Sequence, residues 1–437
     1  MLDLDIFYLK IKRYIQKMIY IRDLIRKKRN KEELTDEEID FFVEKYFNDG
    51  INNEQISALV TLMYVNGLSY REMSHMTLKI SETGKIQDIY KFSNSILDIH
   101  PIGGIEDKII IILLSICTAL GYPAIKIVDR EIGFLDRIMD KGGYKLETDF
   151  EKIKEDITKN IIIIEEPENI APLERKLYKL RNDIAGNDSP SLIAISLMSQ
   201  KIAMGVKNVI FDITYGERAY VKNLKEAREL AKYLVQMGKD LSKGVKCIIT
   251  EMNEPIGVKF GNILELEEAE KALSGEMDED VKELVYTLGN CMLLLMEPSS
   301  KKEDNINKIE EVIKNGKALE VFNNYLDKIG LVHEKALHVV PVLSPFEGYV
   351  SEINVSMIRV LAKNINAIRY YRDEYVSLGT GLEFTKKIGD KIEKNEIIGY
   401  IHIDNESQIE NSINAFLDAF EISNKKIKKT SRIKEIF

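Results

Sequence analysis

Cysteine is scarce in this 437-residue chain, which contains only Cys117, Cys247 and Cys291, each within an apolar run. So few and so widely spaced thiols exclude a disulfide framework and a cysteine-based metal knuckle. Buried structural thiols in a reducing compartment are the better interpretation, so we expect a cytoplasmic protein. The five histidines have no spacing typical of zinc ligands, and no metal site is predicted from them.

Long hydrophobic runs are also absent. The longest, Ile109 to Leu120, is interrupted by Ser115 and is too short to span a bilayer. Near the N-terminus, Asp3 and Asp5 precede any apolar stretch, unlike a secretory signal. These features predict no membrane association.

The chain also has no excess of basic residues over acidic ones. The formal net charge is −9 and the isoelectric point is near 5.4, which argues against a nucleic-acid-binding protein. A neutral nucleoside is not excluded as a ligand. Hydrophobic residues make up 45% and charged residues 30% of the chain, as in ordinary globular proteins, and the length suffices for two or three domains.

The first ~85 residues have the start signals and periodicity of helices. Thr35 and Glu38 form a capping-box pattern, and Ser69 and Glu72 repeat it. From Ile96 onward, runs rich in Ile and Val alternate with helical stretches such as Asn223–Met237. The predicted strands are Ile125–Val128, Ile161–Ile164, Val209–Ile213 and Cys247–Thr250. This alternation favours a mainly parallel sheet covered by helices.

We therefore predict a fold of class α/β plus α. Residues 1–85 and 172–203 are assigned to a small all-helical domain, and residues 86–171 and 204–335 to a larger α/β domain. Residues 336–437 are assigned to a C-terminal α+β subdomain with antiparallel strands. Because the chain crosses between the first two domains more than once, we expect a ligand-binding cleft between them.

Four ordered segments indicate a family. Asp98–Lys108 resembles the loop D-K-H-S-T-G-G-V-G-D-K of the thymidine and pyrimidine-nucleoside phosphorylases, and Lys176–Arg181, Glu251–Gly257 and Lys386–Ile392 are similar to three further segments of that family. The resemblance begins at Met18. It implies a pentosyltransferase that uses phosphate as co-substrate, acts on pyrimidine nucleosides and forms a homodimer through its helical domain. It implies no other cofactor, except a potassium ion near Glu265 in some members.

The family's phosphate ligands are replaced in this chain. The resemblance assigns a lysine, three serines and a threonine to phosphate, and the matching residues here are Ile99, Pro101, Ile110, Val128 and Ile138. None of these side chains carries a cation or a hydroxyl group. The residual candidates for phosphate are Gly103, Gly104 and Lys108, with Glu106 and Asp107 bringing negative charge nearby. We expect a packed hydrophobic turn in place of the anion site.

A second glycine-rich loop of the family, matching residues 126–141, has changed too. Four of its glycines are replaced by Asp129, Glu131, Asp136 and Arg137. Because glycine allows a close approach of the backbone to a ligand, charged side chains at these positions are expected to fill or reshape the space.

The positions that the resemblance assigns to nucleoside binding are better preserved than the phosphate positions. By resemblance, Arg181 and Ser196 bind the pyrimidine ring, Gln200 stands where the family has a lysine, and His100 lies beside base and sugar as the candidate catalytic residue. Arginine and serine can serve a ring that presents carbonyl and N–H groups. In the alternative structural interpretation, Arg181 pairs with Asp183 or Asp188, and Ser196 bonds within its own helix.

Four functions remain open at this point. The first is a divergent family member that binds a pyrimidine base or nucleoside in the interdomain cleft without ordinary phosphorolysis. The second is an active phosphorylase with an anion site rebuilt from Lys108, Arg130 or Arg137. The third is a nucleoside hydrolase that uses Glu106, Asp107 or Asp136 as base. The fourth is a structural dimer.

Residues 1–17 have no counterpart in the family pattern. Either the chain starts in effect at Met18, or this segment is an extra helix for dimer contact or docking.

Overall fold

The computed structural model describes residues 19–87, 96–103, 108–128, 159–216, 219, 221–369 and 374–437. These residues divide into two compact units. The helical unit comprises Met1–Asp88, Glu168–Gly205 and Lys232–Lys243, and the α/β unit comprises Ile89–Pro167, Val206–Ala231 and Gly244–Phe437. Residues 1–17, Gly104, Glu106, Asp107 and the altered loop at 129–141 lie outside the described ranges.

Among the described residues, six helices lie wholly within the helical unit. They are α1 (Ile21–Arg29), α2 (Asp36–Phe47), α3 (Asn53–Asn66), α4 (Tyr70–Ser81), α6 (Pro172–Asp183) and α7 (Pro190–Ala203). Both predicted capping boxes are present, because the side chains of Thr35 and Ser69 each accept an amide while Glu38 and Glu72 bond back. Glu72 also accepts hydrogen bonds from the ammonium group of Lys28 and the amide of Leu34, which fixes α4 against α1.

The α/β unit is built on a six-stranded sheet, and the predicted class of α/β plus α with a mainly parallel sheet is confirmed. Its parallel strands are β1 (Leu97–Ile102), β2 (Ala124–Val128), β3 (Ile162–Glu165), β4 (Asn208–Tyr215) and β5 (Gly244–Glu251). The unit also contains the helices α5 (Lys108–Ala119), α9 (Asn262–Leu273), α10 (Glu279–Met296), α11 (Lys302–Lys314) and α12 (Lys317–Lys328). Helix α8 (Leu224–Asp240) begins in this unit, and its residues from Lys232 onward belong to the helical unit. The four predicted strand runs all lie within or next to these strands.

Two antiparallel sheets follow in the C-terminal part, as predicted. One contains β8 (Gly348–Ile353), β10 (Lys391–Ile392) and β12 (Phe420–Ser423), and the other contains β6 (Lys259–Phe260), β7 (His338–Leu343), β9 (Gly381–Phe384) and β11 (Ile397–Ile403). Helices α13 (Val355–Asn364) and α14 (Ile409–Asp418) complete this part of the fold. No helix within the described ranges is both long and apolar enough to cross a membrane.

The last strand, β13 (Ile433–Ile436), returns to the large sheet and pairs antiparallel with β5. Arg432 anchors it: its guanidinium lies 3.0 Å from the carboxylate of Asp280 and donates 2.9 Å hydrogen bonds to the carbonyls of Glu254 and Pro255. The end of the chain is therefore part of the α/β sheet, a pairing that local sequence patterns do not indicate.

Candidate functional site

The strand order of the large sheet identifies the edge at which a ligand is expected to bind. The order is β13-β5-β4-β1-β2-β3, so the chain builds outward from β1 to β3 and then starts again on the other side of β1 with β4. The carboxyl ends of β1 and β4 therefore form a topological switch point, the usual ligand position in open α/β sheets. In this register His100 is opposite Phe211, and Pro101 is opposite Asp212.

The two faces of this edge differ in chemistry. Side chains alternate along a strand, so Pro101 and Asp212 share one face, and His100 and Phe211 share the other. The rings of His100 and Phe211 meet edge to face with centroids 5.9 Å apart. His100, the predicted catalytic residue, is thus on the opposite face of the sheet from Asp212.

The positions matched to phosphate ligands are apolar and packed. Ile99, Ile110 and Val128 are buried members of one hydrophobic cluster. Pro101 lies beside them at a small cavity of about 20 Å³. The cavity is lined by Ile99, Pro101, Ile109, Ile110, Leu113, Asp212, Thr214, Ile256 and Leu288. The fifth position, Ile138, lies outside the described residues.

Asp212 is an acidic group that the sequence analysis missed. It is buried on β4, and its Oδ1 accepts a 2.6 Å hydrogen bond from the hydroxyl of Thr250 on β5. Burial raises the pKa of the Asp212 carboxyl to about 6, although the Thr250 hydroxyl opposes that shift. An aspartate inside the otherwise apolar run Val209–Ile213 was the signal available in the sequence, since buried polar groups are the informative exceptions.

Lys108, a predicted residual phosphate ligand, is fully buried at the start of α5. Its ammonium group lies 2.5 Å from a carboxylate oxygen of Glu268 and 2.5 Å from the carbonyl oxygen of Lys259. Glu268 also accepts the amides of Val258 and Lys259 at 2.8 and 3.0 Å. The positive charge of Lys108 is therefore already matched inside the protein. Gly103 has φ of 82°, a left-handed conformation that favours glycine.

Three residues predicted to bind the pyrimidine ring meet at one carboxylate in the helical unit. Arg181 Nη2 lies 3.1 Å from Glu174 Oε1, the Ser196 hydroxyl donates to the same oxygen, and Gln200 Nε2 donates to Oε2 at 3.2 Å. Glu174, Arg181 and Ser196 are all buried. The structure thus brings these predicted donors together around an acid that the sequence analysis did not consider.

This arrangement corrects the structural alternative considered for these residues. Arg181 pairs with Glu174 instead of Asp183 or Asp188. The Ser196 hydroxyl donates its hydrogen bond to Glu174 on α6 and not to a group of its own helix. Glu174 and Arg181 are seven residues apart on α6, and Ser196 and Gln200 are four apart on α7, so each pair shares a helix face. That spacing was the signal in the sequence. Arg181 Nε is buried without a hydrogen-bond partner, which leaves a spare donor.

Comparisons with known proteins agree with this architecture. Residues 22–84 match the helical bundle domain of the glycosyl transferase family, residues 93–319 match its a/b domain, and residues 349–423 match the pyrimidine nucleoside phosphorylase C-terminal domain. A pyrimidine-nucleoside phosphorylase of Bacillus subtilis is 34% identical over 399 residues, covering 88% of this chain and 92% of its own. The chain belongs to the pyrimidine-nucleoside phosphorylase family.

Two further relatives place the chain within the fold. The pyrimidine-nucleoside phosphorylase of Geobacillus stearothermophilus is 32% identical over 398 residues, covering 88% of this chain and 92% of its own. Anthranilate phosphoribosyltransferase from Thermus thermophilus shares the fold, with a TM-score of 0.53 at 14% identity. That match covers 70% of this chain and 99% of the other.

Membership in the pyrimidine-nucleoside phosphorylase family raises the question of a potassium ion. Glu265, the residue matched to that ion, is buried near the start of α9, and its Oε1 accepts the amide of Gly261 at 3.1 Å. Within the part of the chain that the structure describes, no three His, Cys, Asp or Glu residues form a metal-binding group. A single carboxylate already engaged with the backbone does not make an ion site, so potassium stays a prediction.

Proposed function

We propose that this protein binds a pyrimidine base or nucleoside and does not catalyse ordinary phosphorolysis. One observation carries the proposal. Four of the five residues that stand where the family has phosphate ligands are packed in the apolar core or line the small cavity beside it. Phosphorolysis needs cations, hydroxyls and free amides around a dianion as positive charge develops on the sugar. Ile99, Pro101, Ile110 and Val128 provide no donor side chain.

The charges of Lys108 and Asp212 also disfavour an anion. Lys108 is held by Glu268, and Asp212 brings a carboxyl group to the cavity itself. Losing one donor in an oxyanion-type site typically lowers the rate on the order of 10²–10³-fold, so the loss of several should suppress phosphorolysis altogether.

The donors around Glu174 support the binding part of the proposal. Arg181, Ser196 and Gln200 are gathered within reach of one carboxylate, and Arg181 Nε is a spare donor. A pyrimidine presents carbonyl oxygens that such donors can bind. The ring would then share these donors with Glu174.

Binding can be tested by calorimetry and thermal shift with uridine, thymidine and deoxyuridine. We expect wild-type protein to bind at least one of them, and Gln200→Ala and Arg181→Lys to bind at least about tenfold more weakly, because lysine keeps the charge opposite Glu174 but loses the planar fork. Inorganic phosphate should not stabilise the protein. Equal binding by wild type and both variants would contradict the assignment of these residues.

We also propose that the protein acts in the cytoplasm as a homodimer, as the family resemblance implies. Light scattering on the full-length chain checks the oligomeric state.

A further inference from the structure

The carboxylate of Glu174 balances the charge of the donors around it. Of the three donors, Arg181 alone carries a formal positive charge, and its Nη2 lies 3.1 Å from Glu174 Oε1. The Ser196 hydroxyl and the Gln200 amide are neutral and donate to the same carboxylate. These four residues, called the donor cluster below, therefore have no net formal charge. Glu174 and Arg181 are only 3% and 4% exposed, so water would screen an additional charge poorly.

A small cavity inside the helical unit adjoins the donor cluster. Its volume is about 20 Å³, and three members of the cluster, Glu174, Arg181 and Ser196, line it. The rest of the lining comes from α2, α3, α4, α6 and α7 and is apolar: Phe42, Val60, Met63, Met76, Ile80, Leu177, Leu192 and Ile195. Among the described residues, the wall of this cavity thus brings no further charge to the cluster.

The other titratable groups close to the cluster on α6 and α7 do not alter its charge balance. The ring of Tyr178 faces the guanidinium group of the cluster at 5.6 Å and is neutral. The ammonium group of Lys176 lies 2.5 Å from the carboxylate of Asp49. Arg175 and Lys201 directly follow Glu174 and Gln200 in the chain, so they lie roughly 100° around their helices from the cluster.

A neutral pyrimidine ring matches the groups that this cluster offers. Uracil presents two carbonyl oxygens that accept hydrogen bonds, with an N3–H donor between them. The Arg181 guanidinium and the Ser196 hydroxyl can donate to the carbonyl oxygens, and the side-chain oxygen of Gln200 can accept from N3–H. When N3 loses its proton, the ring becomes an anion and has no donor for that oxygen. The anion would also meet the Glu174 carboxylate without a surplus positive charge to offset it.

We propose that the donor cluster binds the neutral form of a pyrimidine ring and rejects its N3 anion, and that Glu174 determines this selectivity. The inference rests on the proposed base binding and deepens it, since it names the protonation state of the ligand. All four residues of the cluster belong to the helical unit. A site that disfavours the anion does not stabilise the pyrimidine as a leaving group, because cleavage of the bond to the sugar leaves its electron pair on the ring. The selectivity therefore agrees with a protein that binds a pyrimidine without catalysing phosphorolysis.

The probe for this selectivity is 1-methyl-5-nitrouracil, in which the methyl group blocks N1 and leaves N3–H as the acidic group. The nitro group withdraws electrons, so this N3–H ionises at a lower pH than that of 1-methyluracil, and ionisation changes the absorbance of the ring. Calorimetric titrations of the full-length protein at pH values on both sides of that ionisation are compared with titrations of 1-methyluracil, which stays neutral. We expect wild-type protein to bind the anion at least about tenfold more weakly than the neutral form, the usual effect of a buried charged group without a matching partner.

Two variants raise the net charge of the cluster by one, each from a different helix. Glu174→Gln removes the negative charge on α6 and keeps a side-chain oxygen, and Gln200→Lys adds a positive charge on α7. Both should bind the anion about 10–100-fold more tightly than wild type does, because a hydrogen bond to a charged group contributes about that factor. Glu54→Gln makes the same chemical change as Glu174→Gln at an exposed residue of α3 and should keep the wild-type selectivity. If circular dichroism shows that Glu174→Gln does not fold, Gln200→Lys decides the test.

The outcomes separate this inference from the proposed function. If wild type bound the anion as tightly as the neutral form, or more tightly, the inference would be wrong and the proposed base binding would stand. The same conclusion follows if Gln200→Lys keeps the wild-type preference, even where Glu174→Gln loses it, because a change confined to Glu174 would reflect a structural role alone. Absence of binding of the two uracils and of uridine would overturn both proposals.

Discussion

Replacing Lys108 by methionine should lower the free energy of unfolding of the α/β unit by about 3–5 kcal/mol, the usual cost of leaving one member of a buried ion pair unpaired. Lys108 is fully buried, and its replacement would leave the Glu268 carboxylate with the amides of Val258 and Lys259 but without this cation. Urea unfolding followed by circular dichroism measures the change. The double variant Lys108→Met/Glu268→Gln should recover part of the loss, because glutamine is neutral and its oxygen still accepts an amide.

A surface pair provides the matched control. Lys308 lies 2.7 Å from Glu297, and both side chains are more than one third exposed. Exposed pairs contribute about 0–1 kcal/mol, so Lys308→Met should cost no more than that. If Lys108→Met were as mild as Lys308→Met, the buried ion pair would not be the reason that this lysine is withheld from phosphate.

Replacing Asp212 by asparagine should stabilise the protein at pH 8 and have little effect at pH 4. The pKa of Asp212 is raised from 3.8 to about 6 in the folded state, so the folded protein holds this proton more tightly than the unfolded chain. Its contribution is favourable at low pH and is lost as the pH rises through about 6. The shift corresponds to about 3 kcal/mol, which is the upper estimate for the gain in Asp212→Asn at pH 8.

The measurement is the free energy of unfolding of wild type and variant at several pH values. Asp418→Asn, which changes an exposed aspartate on α14, is measured alongside as the surface control. Equal stability at all pH values would mean that Asp212 is not desolvated.

Much of the fold was predictable because its signals are local. The capping boxes at Thr35 and Ser69 depend on residues three positions apart, and the strands β2 and β4 are short segments rich in Ile and Val. Each of these patterns lies within a single helix or strand and can be recognised without knowledge of the tertiary structure. The family resemblance added the identity of the domains, which no local pattern supplies.

The contacts that decide the chemistry join distant residues and were not predictable in this way. Lys108 and Glu268 are 160 positions apart, and β13 joins the sheet through Arg432, far from its partners near Glu254. Glu174 and Ser196 are on different helices. Each of these pairings depends on how elements pack, so a charge that looks available in the sequence proves to be engaged in the structure.

The most direct test of the account is turnover of uridine at high protein concentration with phosphate varied from zero to several millimolar. We predict that the release of free base does not increase with phosphate and that no sugar phosphate accumulates at any phosphate concentration. A rate that rises with phosphate, together with accumulation of pentose 1-phosphate, would show that the protein binds and uses the anion, and would contradict the loss of phosphorolysis.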